Sequence, residues 1–186
     1  MTATSSITVR RVSAEEALHD ATRGEPLAAA LTDILINCVE GGASVSFMLP
    51  LPRTHALAFW RGALEGAARG ERVLLVAETG DGRIVGTVQL VTAQPDNQPH
   101  RADVAKMLVH RDARRQGVAA QLLTAVDQAA RAEKKTVLVL DTVTGSDAER
   151  LYQRAGWQLV GVVPNFALMP DGAYCGTTFF HKQLPV

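Results

Sequence analysis

The spacing of hydrophobic residues changes along the chain from a strand period to a helix period and back. Residues 7–12 alternate apolar and polar side chains, as expected of a half-buried strand. From Ser13 the period is helical, and this helix ends at Gly41-Gly42. Its apolar stripe consists of Leu27, Leu31, Ile34, Leu35 and Cys38. The irregular segment 41–52 separates it from a second helix that begins near Pro52 and buries Ala56, Trp60, Ala63, Leu64 and Ala67.

The middle of the chain predicts three strands followed by a helix. Strands at 72–78 and 83–91 flank Thr79-Gly80-Asp81-Gly82, which is a hairpin signal. A polar loop with two prolines leads to a third strand at 101–109. The helix that follows, at about 117–133, has an apolar face made of Val118, Leu122, Ala125, Val126 and Ala129.

The last part of the chain predicts one more helix between strands. Residues 136–140 are a continuous apolar run, as in a strand covered on both faces. A short helix at 146–155 opens with the capping box Ser146-Asp147-Ala148-Glu149. The final strands are predicted at 157–163 and 177–182, joined by a loop that contains Pro164, Pro170 and Asp171-Gly172. The order β-α-α-β-β-β-α-β-α-β-β predicts a mixed α/β (α+β) fold with helices packed against one sheet.

Composition narrows the class of protein. The chain has 186 residues, 47% of them hydrophobic, which is enough for one domain with a full core and excludes intrinsic disorder. Nineteen basic and nineteen acidic residues give no net charge, which argues against a nucleic-acid partner. Apolar runs are too short for a membrane span, the start of the chain lacks a secretory signal, and there are two cysteines. We therefore expect a single cytoplasmic domain over residues 1–186, without a membrane partner.

One segment carries candidate binding chemistry. Residues 109–121 read VHRDARRQGVAAQ, where a strand ends and a helix begins. Helix N-termini bind anions through free N–H groups, Gly117 allows close backbone approach, and Ala119 is small enough to leave room for a phosphate. Three arginines and one aspartate give this stretch a local charge of +2. An ordinary connection with a solvated arginine cluster is the alternative. The five histidines show no metal-ligand spacing, so no metal is expected.

The same segment resembles a known family motif. Arg114-x-x-Gly117-x-Ala119, after a strand and opening a helix, looks like the pyrophosphate-binding motif of the GNAT family of N-acetyltransferases. Residues 151–157, LYQRAGW, are similar to that family's helix-to-strand signature, and the element order matches over nearly the whole chain. The resemblance implies a GNAT fold: a mixed, largely antiparallel sheet of six to seven strands flanked by about four helices. It also implies acetyl-CoA bound by Leu108, Val109, Arg114, Arg115, Gln116, Gly117, Val118, Ala119 and Ala120.

Within that family, short stretches are similar to the tabtoxin-resistance acetyltransferases, which acetylate a β-lactam amino acid. The stretches are Gly41-Gly42-Ala43-Ser44-Val45 with Phe47-Met48, Asp141-Thr142 with Gly145-Ser146, and Pro170-Asp171-Gly172. Gly145 stands where many family members have asparagine, which weakens one coenzyme contact. The resemblance implies a small-molecule amine as acceptor, such as a β-lactam or amino-acid-like compound, and a homodimer is one option for the assembly. Acetylation of a protein or peptide, and a non-catalytic acyl-CoA-binding module, are the alternatives.

Direct attack of an amine on a thioester in a ternary complex needs a base, a polarised carbonyl and an acid for the departing thiolate. Tyr152 stands at the family's general-acid position, although a core aromatic on an apolar helix stripe is the structural alternative. Asp103 and Asp141 are both candidate bases, and each could instead be an ordinary strand-end or turn residue. Backbone N–H groups near Leu108-Val109 could polarise the carbonyl if this strand bulges.

The segment 41–52 is a candidate wall for the acceptor. Phe47 and Met48 would line it and Ser44 or Ser46 would supply polar contacts, unless the loop only covers the sheet. Lys106 or Arg101 could pair with a substrate carboxylate, but the sequence does not orient them.

Overall fold

A seven-stranded sheet lies at the centre of the computed structural model, which describes residues 6–23 and 26–185. The order across the sheet is β1-β2-β3-β4-β5-β7-β6, and β4 and β5 are its one parallel pair in the described residues. This confirms the predicted mixed, largely antiparallel sheet. The strands are β1 (Ile7–Arg11), β2 (Arg72–Thr79), β3 (Ile84–Val91), β4 (Arg101–Val109), β5 (Val137–Val143), β6 (Gln158–Leu168) and β7 (Tyr174–Gln183).

Helices cover both faces of the sheet because its central strands are apolar on both sides. Leu74 and Val76 of β2 pack in one hydrophobic cluster with α1, α2 and α3, whereas Leu75 and Ala77 point to the cluster that holds α4 and α5. Among the described residues, no helix is both long and apolar enough to pass through a bilayer. The helices are α1 (Ala14–Arg23), α2 (Pro26–Glu40), α3 (Arg53–Ala68), α4 (Val118–Ala132) and α5 (Asp147–Arg154), with a short 3-10 turn at Arg111–Ala113.

The long helix predicted from Ser13 to Gly41 is wrong, because two helices occupy that stretch and bring the described total to five. The helix α1 ends at Arg23 and α2 begins at Pro26, with residues 24 and 25 outside the described part. Pro26 has no backbone N–H to continue a preceding helix, but it suits the first position of a new one. The apolar stripe from Leu27 to Cys38 belongs to α2 alone.

The loop predicted between the last two strands is also wrong in its extent. The strand β6 runs to Leu168, so Pro164 lies inside it. A proline is tolerated here because β6 is at the edge of the sheet and its register with β7 shifts between Val163 and Ala167. The extended β6 and β7 form a long hairpin, and this hairpin reaches the loop at residues 41–52.

The parallel pair β4–β5 is short. It comprises only Arg101–Val137, Ala102–Leu138 and Asp103–Val139, after which the described strands no longer pair. The strand β4 also bulges against β3: Thr87 pairs with Leu108 and Gln89 with Ala105, so β4 has one extra residue between these pairs. The open space between β4 and β5 is the cleft considered next.

The residue Gly86 on β3 allows α4 to lie close to the sheet. A Cβ atom at this position would be 3.0 Å from Val118 Cγ1 and 3.2 Å from Leu122 Cδ1. We expect Gly86→Ala to lower the free energy of unfolding by about 1–3 kcal/mol, because the added methyl overpacks the helix–sheet contact. Urea denaturation would measure this effect. The matched control is Gly161→Ala on β6, where a Cβ meets nothing within 4 Å. Equal midpoints for both variants would contradict the prediction.

Candidate functional site

A cleft with a volume of about 790 Å³ opens where β4 and β5 separate. The loop between α2 and α3 (residues 41–52, called the acceptor loop after the role that the sequence predicts) forms one wall, and the β6–β7 hairpin forms another. The start of α4 and one face of α5 complete it. The predicted site residues on its lining are Leu108, Val109, Arg114, Ala119, Asp141 and Tyr152.

The loop before α4 has the geometry of an anion site. Gly117 is the N-cap of α4 with φ +79°, a left-handed conformation that favours glycine. The first helical N–H groups after it lack partners within the helix and face outward. Arg114 Nε donates to the Val109 carbonyl at 3.3 Å, which fixes the loop against the end of β4. Gly117 is therefore required by backbone conformation, since a Cβ there would meet nothing within 4 Å.

The other predicted coenzyme residues are placed as follows. Arg115, Gln116 and Ala120 are exposed beside the cleft, and Val118 is buried against the sheet. Gln116 Nε2 donates to the Asp112 carbonyl at 3.0 Å, so its side chain stabilises the loop itself.

The bulge considered for β4 is present, slightly earlier than Leu108-Val109. The extra residue lies between Ala105 and Leu108, and Lys106 has φ +53°. Residues 105–108, which span this irregularity, all line the cleft.

The residue Tyr152 lies on α5 between the core and the cleft. Only 5% of it is exposed, and its ring is 5.9 Å from that of Trp157 and 6.2 Å from that of Phe180. Burial raises the pKa of the Tyr152 hydroxyl, and the Asp141 carboxylate raises it further. The hydroxyl is therefore protonated at neutral pH. Tyr152 is therefore part of the hydrophobic core and also part of the cleft lining.

The start of α5 forms the N-cap half of the predicted capping box. Ser146 Oγ accepts a hydrogen bond from the Glu149 N–H at 3.1 Å, and the Glu149 carboxylate accepts one from the Gly145 N–H. The Ser146 N–H, which a full capping box would bond to Glu149, donates to the Val143 carbonyl at 3.3 Å instead. These bonds hold the start of α5, the helix that carries Tyr152.

The structure separates the two candidate carboxylates. Asp141 lies within β5, beside Thr142, with its side chain on the cleft. Asp103 lies outside the cleft lining, where it forms an ion pair with Arg101 and accepts a hydrogen bond from Gln94 Nε2 at 3.0 Å. Tyr152 and Asp141 therefore line the same cleft, whereas Asp103 lies outside it.

The acceptor loop is joined to the β6–β7 hairpin. Ser44 Oγ donates to the Leu168 carbonyl at 2.7 Å, and the Leu49 N–H donates to the Pro170 carbonyl at 2.9 Å. Phe47 is buried and packs edge-on against Phe59 with ring centroids 5.3 Å apart. Both Phe47 and Met48 line the cleft. So do residues 166–168 of β6 and Met169 just after it, which the sequence pattern assigns to a loop and does not identify as site residues.

The residue Lys106 points into the cleft, whereas Arg101 does not. Lys106 Nζ is 3.2 Å from Ser46 Oγ and 5.5 Å from the centre of the Phe59 ring. Burial lowers the pKa of Lys106, Asp141 opposes this effect, and the charge of Arg72 adds to it. The Arg101 guanidinium contacts Gln98, Gln94 and Asp103 instead.

Comparisons with known proteins find similarity to acetyltransferases. The family model described as acetyltransferase (GNAT) domain matches residues 70–159. A curated relative, an uncharacterized N-acetyltransferase from the hisH-hisA intergenic region of Azospirillum brasilense, is 34% identical over 113 residues. That match covers 60% of this chain and 65% of the relative's length.

Solved structures share the fold. The protein yncA from Salmonella typhimurium, with its cofactor acetyl-CoA, has a TM-score of 0.75 at 21% identity, over 98% of this chain and 96% of that one. A ribosomal-protein-alanine N-acetyltransferase from Brucella melitensis has a TM-score of 0.75 at 22% identity, over 95% of this chain and 99% of that one. In the described part of the chain, no group of three His, Cys, Asp or Glu side chains could hold a metal ion.

Proposed function

We propose that this chain is a GNAT N-acetyltransferase, because the family model described as acetyltransferase (GNAT) domain matches residues 70–159, and that it transfers an acetyl group from acetyl-CoA to the amine of a small molecule. The observation that carries the proposal is one cleft that contains Tyr152, Asp141 and the N-terminal end of α4. A β-lactam or another amino-acid-like compound is the acceptor class that we favour.

The residues present fit a coenzyme with a pyrophosphate and a narrow arm. The N–H groups at the start of α4, with Arg114 and Arg115 beside them, suit a phosphate anion. The small side chain of Ala119 leaves space at the cleft. Beyond Asp103, the backbone groups of β4 that face β5 form no strand pairing in the described residues. When bound, acetyl-CoA supplies the thioester carbon that the amine attacks.

The proton transfers are assigned to two side chains. Asp141 accepts a proton from the acceptor's ammonium group, directly or through a water molecule. Backbone N–H groups at the β4 bulge stabilise the oxyanion. The N–C bond forms first, and as the C–S bond then breaks Tyr152 would donate a proton to the sulfur and recover a proton from the newly acylated nitrogen. One proton is released for each acetyl group transferred.

The shape of the cleft supports a small acceptor over a protein chain. The bonds from Ser44 to Leu168 and from Leu49 to Pro170 close the side of the cleft between the acceptor loop and the β6–β7 hairpin. A peptide substrate needs an extended open groove, and these contacts obstruct one.

The test is to incubate the protein with acetyl-CoA and an amine panel and to follow thiol release. The panel contains amino acids, a β-lactam amino acid, simple alkylamines, and a peptide with a free N-terminus and a lysine. We expect release with at least one small amine. Tight coenzyme binding without release from any amine would favour the non-catalytic module, and release with the peptide alone would favour a protein acetyltransferase.

A further inference from the structure

We infer that the acceptor carries a carboxylate close to its reactive amine, and that Lys106 together with Ser46 binds this carboxylate. The inference rests on the proposed function and specifies which small amines the cleft accepts. It begins with the backbone of β4 at the bulge.

The bulge in β4 determines where Lys106 points. In a regular strand, side chains alternate between the two faces of the sheet, and an inserted residue interrupts that alternation. Lys106 lies in the inserted stretch with φ +53°, and its side chain enters the cleft beneath the acceptor loop. The contact with Ser46, which also has a positive φ of +76°, ties the loop to the lysine.

Within the described residues, no carboxylate is in direct contact with the Lys106 ammonium group. Its polar contact is the Ser46 hydroxyl, and its other neighbour is the face of Phe59. In the described ranges 6–23 and 26–185, no carboxylate lies within ion-pair distance of it. A partly buried cation without an anion is costly to desolvate, and an anion that enters the cleft relieves that cost.

The cation is placed for the acceptor rather than for the coenzyme phosphates. Those phosphates are assigned to the start of α4, beside Arg114 and the end of β4 at Val109. Lys106 is three positions earlier on the strand, roughly 10 Å along it. It shares this part of the cleft with Phe47 and Ser46 of the acceptor loop.

The cleft contains the cation Lys106 and the carboxylate Asp141, and this pair is complementary to the two charges of a zwitterionic acceptor. Asp141 lies on the opposite strand, and its charge acts on both Lys106 and Tyr152. An amino-acid-like acceptor can direct its ammonium group to Asp141 and its carboxylate to Lys106. In this orientation the nitrogen is held beside the acid–base pair, which is the positioning that catalysis requires.

The experiment compares the best acceptor of the amine panel with its carboxamide, using the wild-type chain and the variants Lys106→Met and Lys106→Arg. We expect the wild type to prefer the carboxylate form. Lys106→Met should raise KM for the carboxylate at least about tenfold, because a charge-assisted hydrogen bond is lost. KM for the carboxamide and for acetyl-CoA should change less than about twofold, and Lys106→Arg should retain most of the preference.

Three results would overturn the inference. They are a best acceptor without a carboxylate, equal kcat/KM of the wild type for acid and amide, and a Lys106→Met defect that is the same for both. The first two results are measured on the wild-type chain, so the inference can be overturned even if a variant fails to fold. Absence of thiol release from every amine would instead overturn the proposed function, and the inference with it.

Discussion

Replacing Tyr152 by phenylalanine is expected to lower kcat for acetyl transfer about 100-fold or more, the range in which general acids contribute. The ring contacts with Trp157 and Phe180 remain, so the fold and KM for acetyl-CoA should change little. The raised pKa of Tyr152 keeps its proton in place through neutral and moderately alkaline pH. Steady-state thiol release measures kcat, and thermal unfolding monitors the fold.

The chain contains its own control, because Tyr174 is its one other tyrosine and is 75% exposed outside the cleft lining. Tyr174→Phe should leave kcat within about twofold, as surface substitutions do. If Tyr152→Phe behaved in the same way, the hydroxyl would have no part in the chemistry and Tyr152 would be a core aromatic only.

Replacing Asp141 by asparagine is expected to lower kcat/KM about 100-fold, since the base that accepts the ammonium proton is removed while the shape of the side chain is kept. The loss should diminish at alkaline pH, where more of the acceptor is already deprotonated. Rate measurements across pH with one acceptor test both statements.

The matched control is Asp103→Asn, which removes the other carboxylate that the sequence offered. Asp103 is bound to Arg101 and Gln94 away from the cleft, so its loss should leave kcat/KM within about threefold. The reverse result, a large loss at Asp103 and none at Asp141, would exclude the assignment made from the cleft.

Local signals in the sequence were enough to predict most of the fold. The hairpin residues 79–82, the capping box at Ser146 and the apolar stripe of α2 each act through neighbours a few positions away. The loop before α4 also has a local signature, because Gly117 is needed for a left-handed turn at the start of α4.

Other features depend on contacts between distant parts of the chain. Pro164 is compatible with a strand only because β6 lies at the sheet edge, which the sequence does not reveal. The sequence does not distinguish Asp103 from Asp141 as a candidate base. The separation of β4 from β5 does, because Asp141, and not Asp103, lines the cleft that it opens. The direction of Lys106 follows from a bulge that has no distinctive residue pattern.

The early end of the β4–β5 pair leaves an unpaired strand border in the middle of the sheet rather than at its outside. Such borders normally invite another protein's strand and promote aggregation. Here the border faces a cleft of about 790 Å³, walled by the acceptor loop and the β6–β7 hairpin. We expect these walls to keep a folded neighbour away from the border, while a narrow and flexible molecule enters the cleft. The gap would therefore select ligands by their width. A narrow ligand can pair with the free edge of β4, and the same walls would prevent two copies of the chain from associating there.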